Sequence, residues 1–271
     1  MSAVTLASAP EDATALAAAE EHHAQLAGEL AGRVAMLLTA ADRDADAAEK
    51  IRVGLVAFCE REVLPHAAAE EAVLYPAARH LPDSRLLIES LIAEHSCLMS
   101  LVDTLRTAPT PFGAAAEARA LQVLFEEHVA KENGLVLPLL AVAPDIRLAS
   151  LLGDMREELA RRTPTGGTAA SQNATDDEIE ESGGCGGVCG CGGEQEADVP
   201  ELDVRSVPHA LRHATVFGAL DAVPAGAAMV LIAPHDPLPL LAQIEDRSPG
   251  TFSVEYLERG PEAWRLQLSH R

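Results

Sequence analysis

His66-Ala67-Ala68-Ala69-Glu70-Glu71-Ala72-Val73-Leu74-Tyr75-Pro76 recurs further along the chain as His128-Val129-Ala130-Lys131-Glu132-Asn133-Gly134-Leu135-Val136-Leu137-Pro138. In both copies a histidine is followed four residues later by glutamate and ten residues later by proline. A spacing of four stacks the imidazole above the carboxylate on one helix face. That is a metal-ligand geometry, supplied twice and from two different helices. One such pair on a helix surface is common, but two copies with matched flanks call for a shared purpose.

Outward from these copies, the period of apolar residues predicts five helices over the first 160 residues. The first runs from about Glu11-Asp12 to Ala40, with Leu16, His23, Leu30 and Leu37 seven apart in one stripe. His23 therefore faces inward, while its neighbour His22 lies about 100° away. Asp44 or Asp46 opens the second helix, about 44–79, which bends at Pro65 and carries His66 and Glu70 inward. Glu62, one turn before His66, is expected to support the same site, as is Tyr75. Leu81-Pro82-Asp83-Ser84 reads as a stop followed by a cap. The third helix then aligns Ile88, Leu91, His95, Leu98, Val102 and Leu105. Thr110-Pro111 opens a fourth, whose inner face is Leu121, Leu124, Phe125, His128, Glu132 and Leu135. A fifth, near 145–162, caps the bundle or leads out of it. Helix one resembles helix three, and helix two resembles helix four. Two hairpins related this way predict an all-α up-down four-helix bundle over 11–162.

Composition agrees with helices and narrows the partners. The 271 residues are 48% hydrophobic but only 3% aromatic, which favours Ala- and Leu-rich helices in the first half. The net charge of -22 repels nucleic acid and anionic membranes, so neither is expected as a partner. No stretch approaches the ~18 unbroken apolar residues of a membrane span, and Met1–Pro10 makes no convincing signal peptide. Five cysteines, three of them crowded together, are not a secreted disulfide framework, so a cytoplasmic location is expected.

Residues 163–199 carry no hydrophobic period and are acidic, then rich in glycine and cysteine, which predicts a flexible linker. Cys185, Cys189 and Cys191 lie in it as C-x3-C-x-C, unlike a zinc ribbon. They are either incidental or a thiol arm for redox or metal transfer. From residue 200 the pattern becomes β-α-β-α-β-β, a small two-layer α/β sandwich over 200–271. Within it, Arg205 and the strand-to-helix turn at His235 and Asp236, where helix N–H groups can favour an anion, form a candidate site, against the plainer readings that Asp236 caps a helix and that Arg205 makes a surface ion pair.

The inward polar residues of the bundle are His23, His66, Glu70, His95, His128 and Glu132. Six unpaired polar groups in a helical core would cost a few kcal/mol each, roughly, unless something satisfies them. Six ligands exceed one tetrahedral zinc, and there is no thiolate set. Mixed imidazole and carboxylate favours iron, manganese or cobalt. Two divalent ions bridged by two glutamates, roughly 3.5–4 Å apart, would retain open positions for O2, NO or peroxide.

These residues carry a resemblance. His23, His66 with Glu70, Glu71 and Tyr75-Pro76, His95, and His128 with Glu132 and Pro138 resemble the hemerythrin-like, HHE cation-binding family. The resemblance implies a non-haem di-iron centre, two iron ions in preference to manganese or zinc. The four histidines would be terminal ligands, and Glu70 and Glu132 bridges. Oxygen-carrying hemerythrins have a fifth histidine and another motif in the last helix, and this chain shows neither in an obvious place. It is closer to bacterial relatives linked to sensing, to NO and oxidative stress, and to repair of iron centres.

Residues 200–271 resemble DUF2249, often found beside hemerythrin-like domains. The similarity rests on Leu202-Asp203-Val204-Arg205, Pro208, Arg212-His213, Ala233-Pro234-His235-Asp236-Pro237-Leu238, Tyr256, Gly260-Pro261 and Trp264. It implies a fold like the sulfur carriers of the TusA type, whose Cys-Pro motif is replaced here by His235-Asp236-Pro237. Three functions stay open: a di-iron protein that binds O2, NO or peroxide in stress sensing or protection, a di-iron enzyme or iron donor for cluster repair, and a redox-reporting scaffold whose second domain binds a partner.

Overall fold

The bundle's helices start where the local chemistry lets them. Pro10 sits in the first turn of α1 (Pro10–Ala41), where its missing N–H costs nothing. Asp44 caps α2 (Ala45–Phe58) by accepting from the N–H groups of Asp46 and Ala47, at 3.0 and 2.9 Å. Thr110 caps α5 (Pro111–Lys131) by accepting from Gly113 N–H at 3.1 Å. Ser84 differs from its expected role. Its hydroxyl donates backwards to the carbonyls of Ala78 and Leu81, so it closes α3 (Leu64–Arg79) and caps nothing of α4 (Arg85–Thr107). The computed structural model describes residues 9–82, 84–162 and 199–271.

The proline bend has a specific form. A π-helical turn, Cys59–Val63, joins α2 to α3 just before Pro65. A second π-helical turn, Glu132–Val136, joins α5 to α6 (Leu137–Val142) just before Pro138. Proline leaves one carbonyl of the preceding turn without its N–H partner, and a π turn accommodates the extra residue. The first turn ends three residues before His66, and the second begins at Glu132.

The fifth helix of the bundle, α7 (Leu148–Arg162), packs along α1 and α3. Its start is capped from another element: buried Asp12 of α1 accepts from Ala149 N–H at 2.9 Å. Leu148, Leu152 and Met155 then join Leu74, Tyr75, Leu137 and Leu140 in one apolar cluster.

The remaining elements are β1 (Glu201–Asp203), a short 3-10 turn, α8 (Arg212–Asp221), β2 (Ala228–Ala233), α9 (Leu238–Arg247), β3 (Phe252–Arg259) and β4 (Trp264–His270). They form a four-stranded sheet of order β1-β2-β4-β3, with β1 and β2 parallel and the other pairs antiparallel. The strand period of two sends Met229 and Leu231 into the main core and Val230 and Ile232 to the other face. β3 is an edge strand. Its register shifts between Tyr256 and Glu258, which turns Leu257 outward, so it is less buried than its alternation suggests.

The second domain does not stand apart. α8 lies across α1, and the main apolar core runs from Leu30 and Leu37 through Val216, Ala219 and Leu220. The crossing depends on glycine. A Cβ on Gly28 would strike Ala214, one on Gly32 would strike the Thr215 carbonyl, and one on Gly218 would strike the Glu29 backbone. Buried Arg33 reaches Asp221 at 2.7 Å and stacks over Phe58 at 4.4 Å. No helix among the described residues is long and apolar enough to cross a membrane.

Candidate metal centre

Four helices each deliver one histidine to a common interior point. His23 comes from α1, His66 from α3, His95 from α4 and His128 from α5. Glu70 stands one turn after His66, and Glu132 opens the π-helical turn that follows α5. All six are 3% exposed or less.

Their atoms sort into two sets of four. His23, His66, Glu70 and Glu132 form one, and Glu70, His95, His128 and Glu132 form the other. Each glutamate divides its oxygens between the sets. Glu70 Oε1 lies 3.0 Å from His66 Nε2 and 3.5 Å from His23 Nε2, while its Oε2 lies 3.5 Å from His95 Nε2. Glu132 turns Oε2 towards His23, at 3.9 Å, and Oε1 towards His128, at 3.5 Å. The Nε2 atoms of His95 and His128 are 3.0 Å apart. Two imidazole nitrogens bound to one ion at about 2.1 Å and at right angles would stand roughly that far apart.

Residues 9–140 match the Hemerythrin HHE cation binding domain, and residues 201–270 match an uncharacterized conserved protein family, DUF2249. The chain joins a hemerythrin-type cation-binding domain to a DUF2249 domain. Neither a curated protein nor a solved structure matches it.

The donors of the hemerythrin-type domain fit a cation on their own chemistry. Buried His66 Nε2, Glu70 Oε1 and Glu132 Oε2 have no hydrogen-bond partner, and an ion between them would satisfy all three. Burial alone would keep Glu70 protonated, but the surrounding histidines outweigh it and hold its carboxyl well below the ordinary range. Burial also opposes a charge on His23. Glu70 and Glu132 overcome it and raise the ring to about 9. A cation must therefore displace a proton from this site.

The far nitrogens of the rings are held unequally. His95 Nδ1 meets Glu71 at 2.8 Å, and His128 Nδ1 meets Glu94 at 3.0 Å, itself paired with Lys131. Desolvation works against ionised Glu94, but Lys131 and His128 prevail and lower its carboxyl. His23 Nδ1 has only the neutral amide of Asn133, at 2.7 Å. His66 Nδ1 has no partner. Tyr75 donates to Glu132 Oε1 at 2.7 Å, and burial followed by the nearby carboxylates pushes its hydroxyl upward, so it remains a donor.

Glu62 falls outside the site. It is exposed and its nearest partner is Arg61, at 3.8 Å, because the π-helical turn rotates it away from the face that His66 occupies. His22 belongs to neither set, although its ring stands edge-on to His66 at 5.0 Å. Desolvation, then the charges of His66 and His23, hold it down at about 4. In the second domain Arg205 is taken by Asp203, at 2.7 Å, and Asp236 accepts from Tyr256 at 2.9 Å and caps no helix. His235 is exposed. Cys185, Cys189 and Cys191, with the expected thiol arm and linker, lie outside the described residues.

Sequence reasoning assigned no role to Glu94, Asn133 and Lys131. A signal existed for all three: each is adjacent in sequence to a ligand candidate, Glu94 to His95, and Lys131 and Asn133 to Glu132. Helical phase alone sends them away from the core, and only the packing of neighbouring helices brings Glu94 and Asn133 to the ring edges.

Proposed function

We propose that the hemerythrin-type domain holds two non-haem iron ions and binds O2, NO or peroxide there, in sensing of or protection from oxidative and nitrosative stress. The observation that carries this reading is the division of each carboxylate, with one oxygen of Glu70 and of Glu132 in each histidine pair. Four imidazoles and two carboxylates favour iron over zinc, which prefers fewer ligands and a closed tetrahedron in structural sites. Iron held this way would supply open coordination positions and a change of oxidation state for a small ligand.

The chain's own residues prepare the centre. Glu71 and Glu94 fix the rings of His95 and His128 with Nε2 pointing inward, and their charge makes those nitrogens better donors. Tyr75 fixes Glu132 without competing for the cation. His23 and His66 lack such anionic support, so their side of the centre is where a small ligand binds.

The scaffold reading is favoured by one feature, α1, which carries both His23 and the glycines against which α8 packs. A shift of His23 on ligand binding would reach the DUF2249 domain through one rigid helix. The test is anaerobic iron loading of the whole chain, with optical spectra before and after O2 and NO. Two irons per chain and spectra that change with NO are expected. An iron-supplied sample without bound iron, or with spectra indifferent to both gases, would contradict the proposal.

A further inference from the structure

A cavity of about 320 Å3 lies between α1, α3, α6 and α7. Leu74, Leu137, Leu152 and Met155 line it, with the alanines of α1 along one side. Its buried end is formed by His23 and His66, and its rim by exposed His22 and Arg156. The Asp12 bond to Ala149 N–H clamps α7 to α1, so the two walls are fixed relative to each other.

The size does not suit a diatomic ligand alone. O2 or NO needs about the room of one water, ~30 Å3, roughly a tenth of this space. The volume falls instead at the lower end of ordinary small-molecule pockets, about 300–1,000 Å3. Such pockets combine an apolar wall with a few placed polar groups, and this one has two of note. The first is Arg156. The chain has 42 acidic and 20 basic residues, yet Arg156 has no ion pair or hydrogen bond among the described residues. Its positions three and four residues away on α7 are Leu152, Gly153, Leu159 and Ala160, so its own helix offers it no carboxylate. Arg161 and Arg162, by contrast, both pair with Glu158. The second is His66 Nδ1, buried in the inner wall with no partner, where the other three histidines of the centre each have one.

We propose that this cavity binds an apolar monoanion of the medium-chain carboxylate class. Its carboxylate pairs with Arg156 at the rim. Its hydrocarbon body lies along Leu152, Met155 and Leu74 and ends beside His66. The proposal deepens the reading of the metal centre and rests on it for the identity of the inner wall as cation ligands. Binding itself needs no ion.

The test is calorimetric titration of the whole chain, iron-loaded and iron-free, with straight-chain carboxylates from butanoate to octanoate. One molecule per chain is expected in both forms, each added CH2 tightening binding about fourfold until the cavity is full. Arg156→Met should weaken octanoate about two- to fivefold, as expected for a pair at an exposed rim, and leave 1-octanol unchanged. Ala19→Phe, which fills the cavity, should remove both probes while iron content persists. No saturable octanoate binding, or binding indifferent to both substitutions, would overturn the proposal. Binding confined to the iron-loaded form would also overturn it, because the carboxylate would then sit on the ion. A chain that binds octanoate but takes up no iron would support the cavity and refute the metal centre, so the two failures are distinguishable.

Discussion

The two halves of the histidine cluster use the same residue types and are built differently. On the His95/His128 side both rings are braced by carboxylates, Glu71 and Glu94, and Tyr75 steadies the glutamate oxygen that faces them. On the His23/His66 side one Nδ1 has an uncharged amide, the other has no hydrogen-bond partner, and an apolar cavity runs alongside. A carboxylate behind a histidine orients it and strengthens it as a ligand. The difference teaches that two matched ligand sets can be unequally braced: one has its rings fixed by charge, and the other borders open space.

The most severe way to break the comparison is to remove what the halves share. Glu70→Ala or Glu132→Ala takes one ligand from both sets, so metal analysis should show loss of the paired centre, with affinity down by more than the roughly 10–100-fold typical of outer partners. Changing one half should come next. Glu71→Gln or Glu94→Gln is expected to weaken one of two ions about 10–100-fold in a competitive chelator titration, and Asn133→Ala to weaken the other by about tenfold or less. Tyr75→Phe removes a buried donor to a carboxylate. It should destabilise the metal-free protein by about 1.5–3 kcal/mol in denaturant unfolding, and less once metal is bound to the same oxygen.

Acidity offers a smaller effect confined to the open half. His23 is raised from 6.5 to about 9, so its attraction to Glu70 and Glu132 stabilises the metal-free fold fully below pH 6.5 and is lost as the pH climbs to 9. Melting temperatures of metal-free protein should fall across that window. Those of metal-loaded protein should not, since the cation replaces the proton. The smallest expected effect is that of His22→Ala, which belongs to neither set and should leave metal content nearly unchanged.

Much of this is legible in the sequence alone. The heptad placement of His23, Leu30 and Leu37 and the repeated His-x3-Glu spacing set which side chains face inward, because helical period is a local property. The β-α-β-α-β-β order followed from alternation and turn residues in the same way. What stayed hidden is what period cannot carry. Two π-helical turns break the phase, and one of them displaces Glu62 while the other begins at Glu132. Glu94 and Asn133 reach histidines on other helices, a matter of packing between elements. The docking of α8 on α1 was also concealed, since Gly28, Gly32 and Gly218 read as ordinary weak helix formers until the opposing backbone is in view.

The sharing of Glu70 and Glu132 between two cations is tested most directly by anaerobic titration of metal-free protein with ferrous iron. Two equivalents per chain are expected, taken up in two distinguishable steps, and Glu70→Ala should abolish both. Uptake of a single ion, or two that persist undiminished in Glu70→Ala, would contradict it.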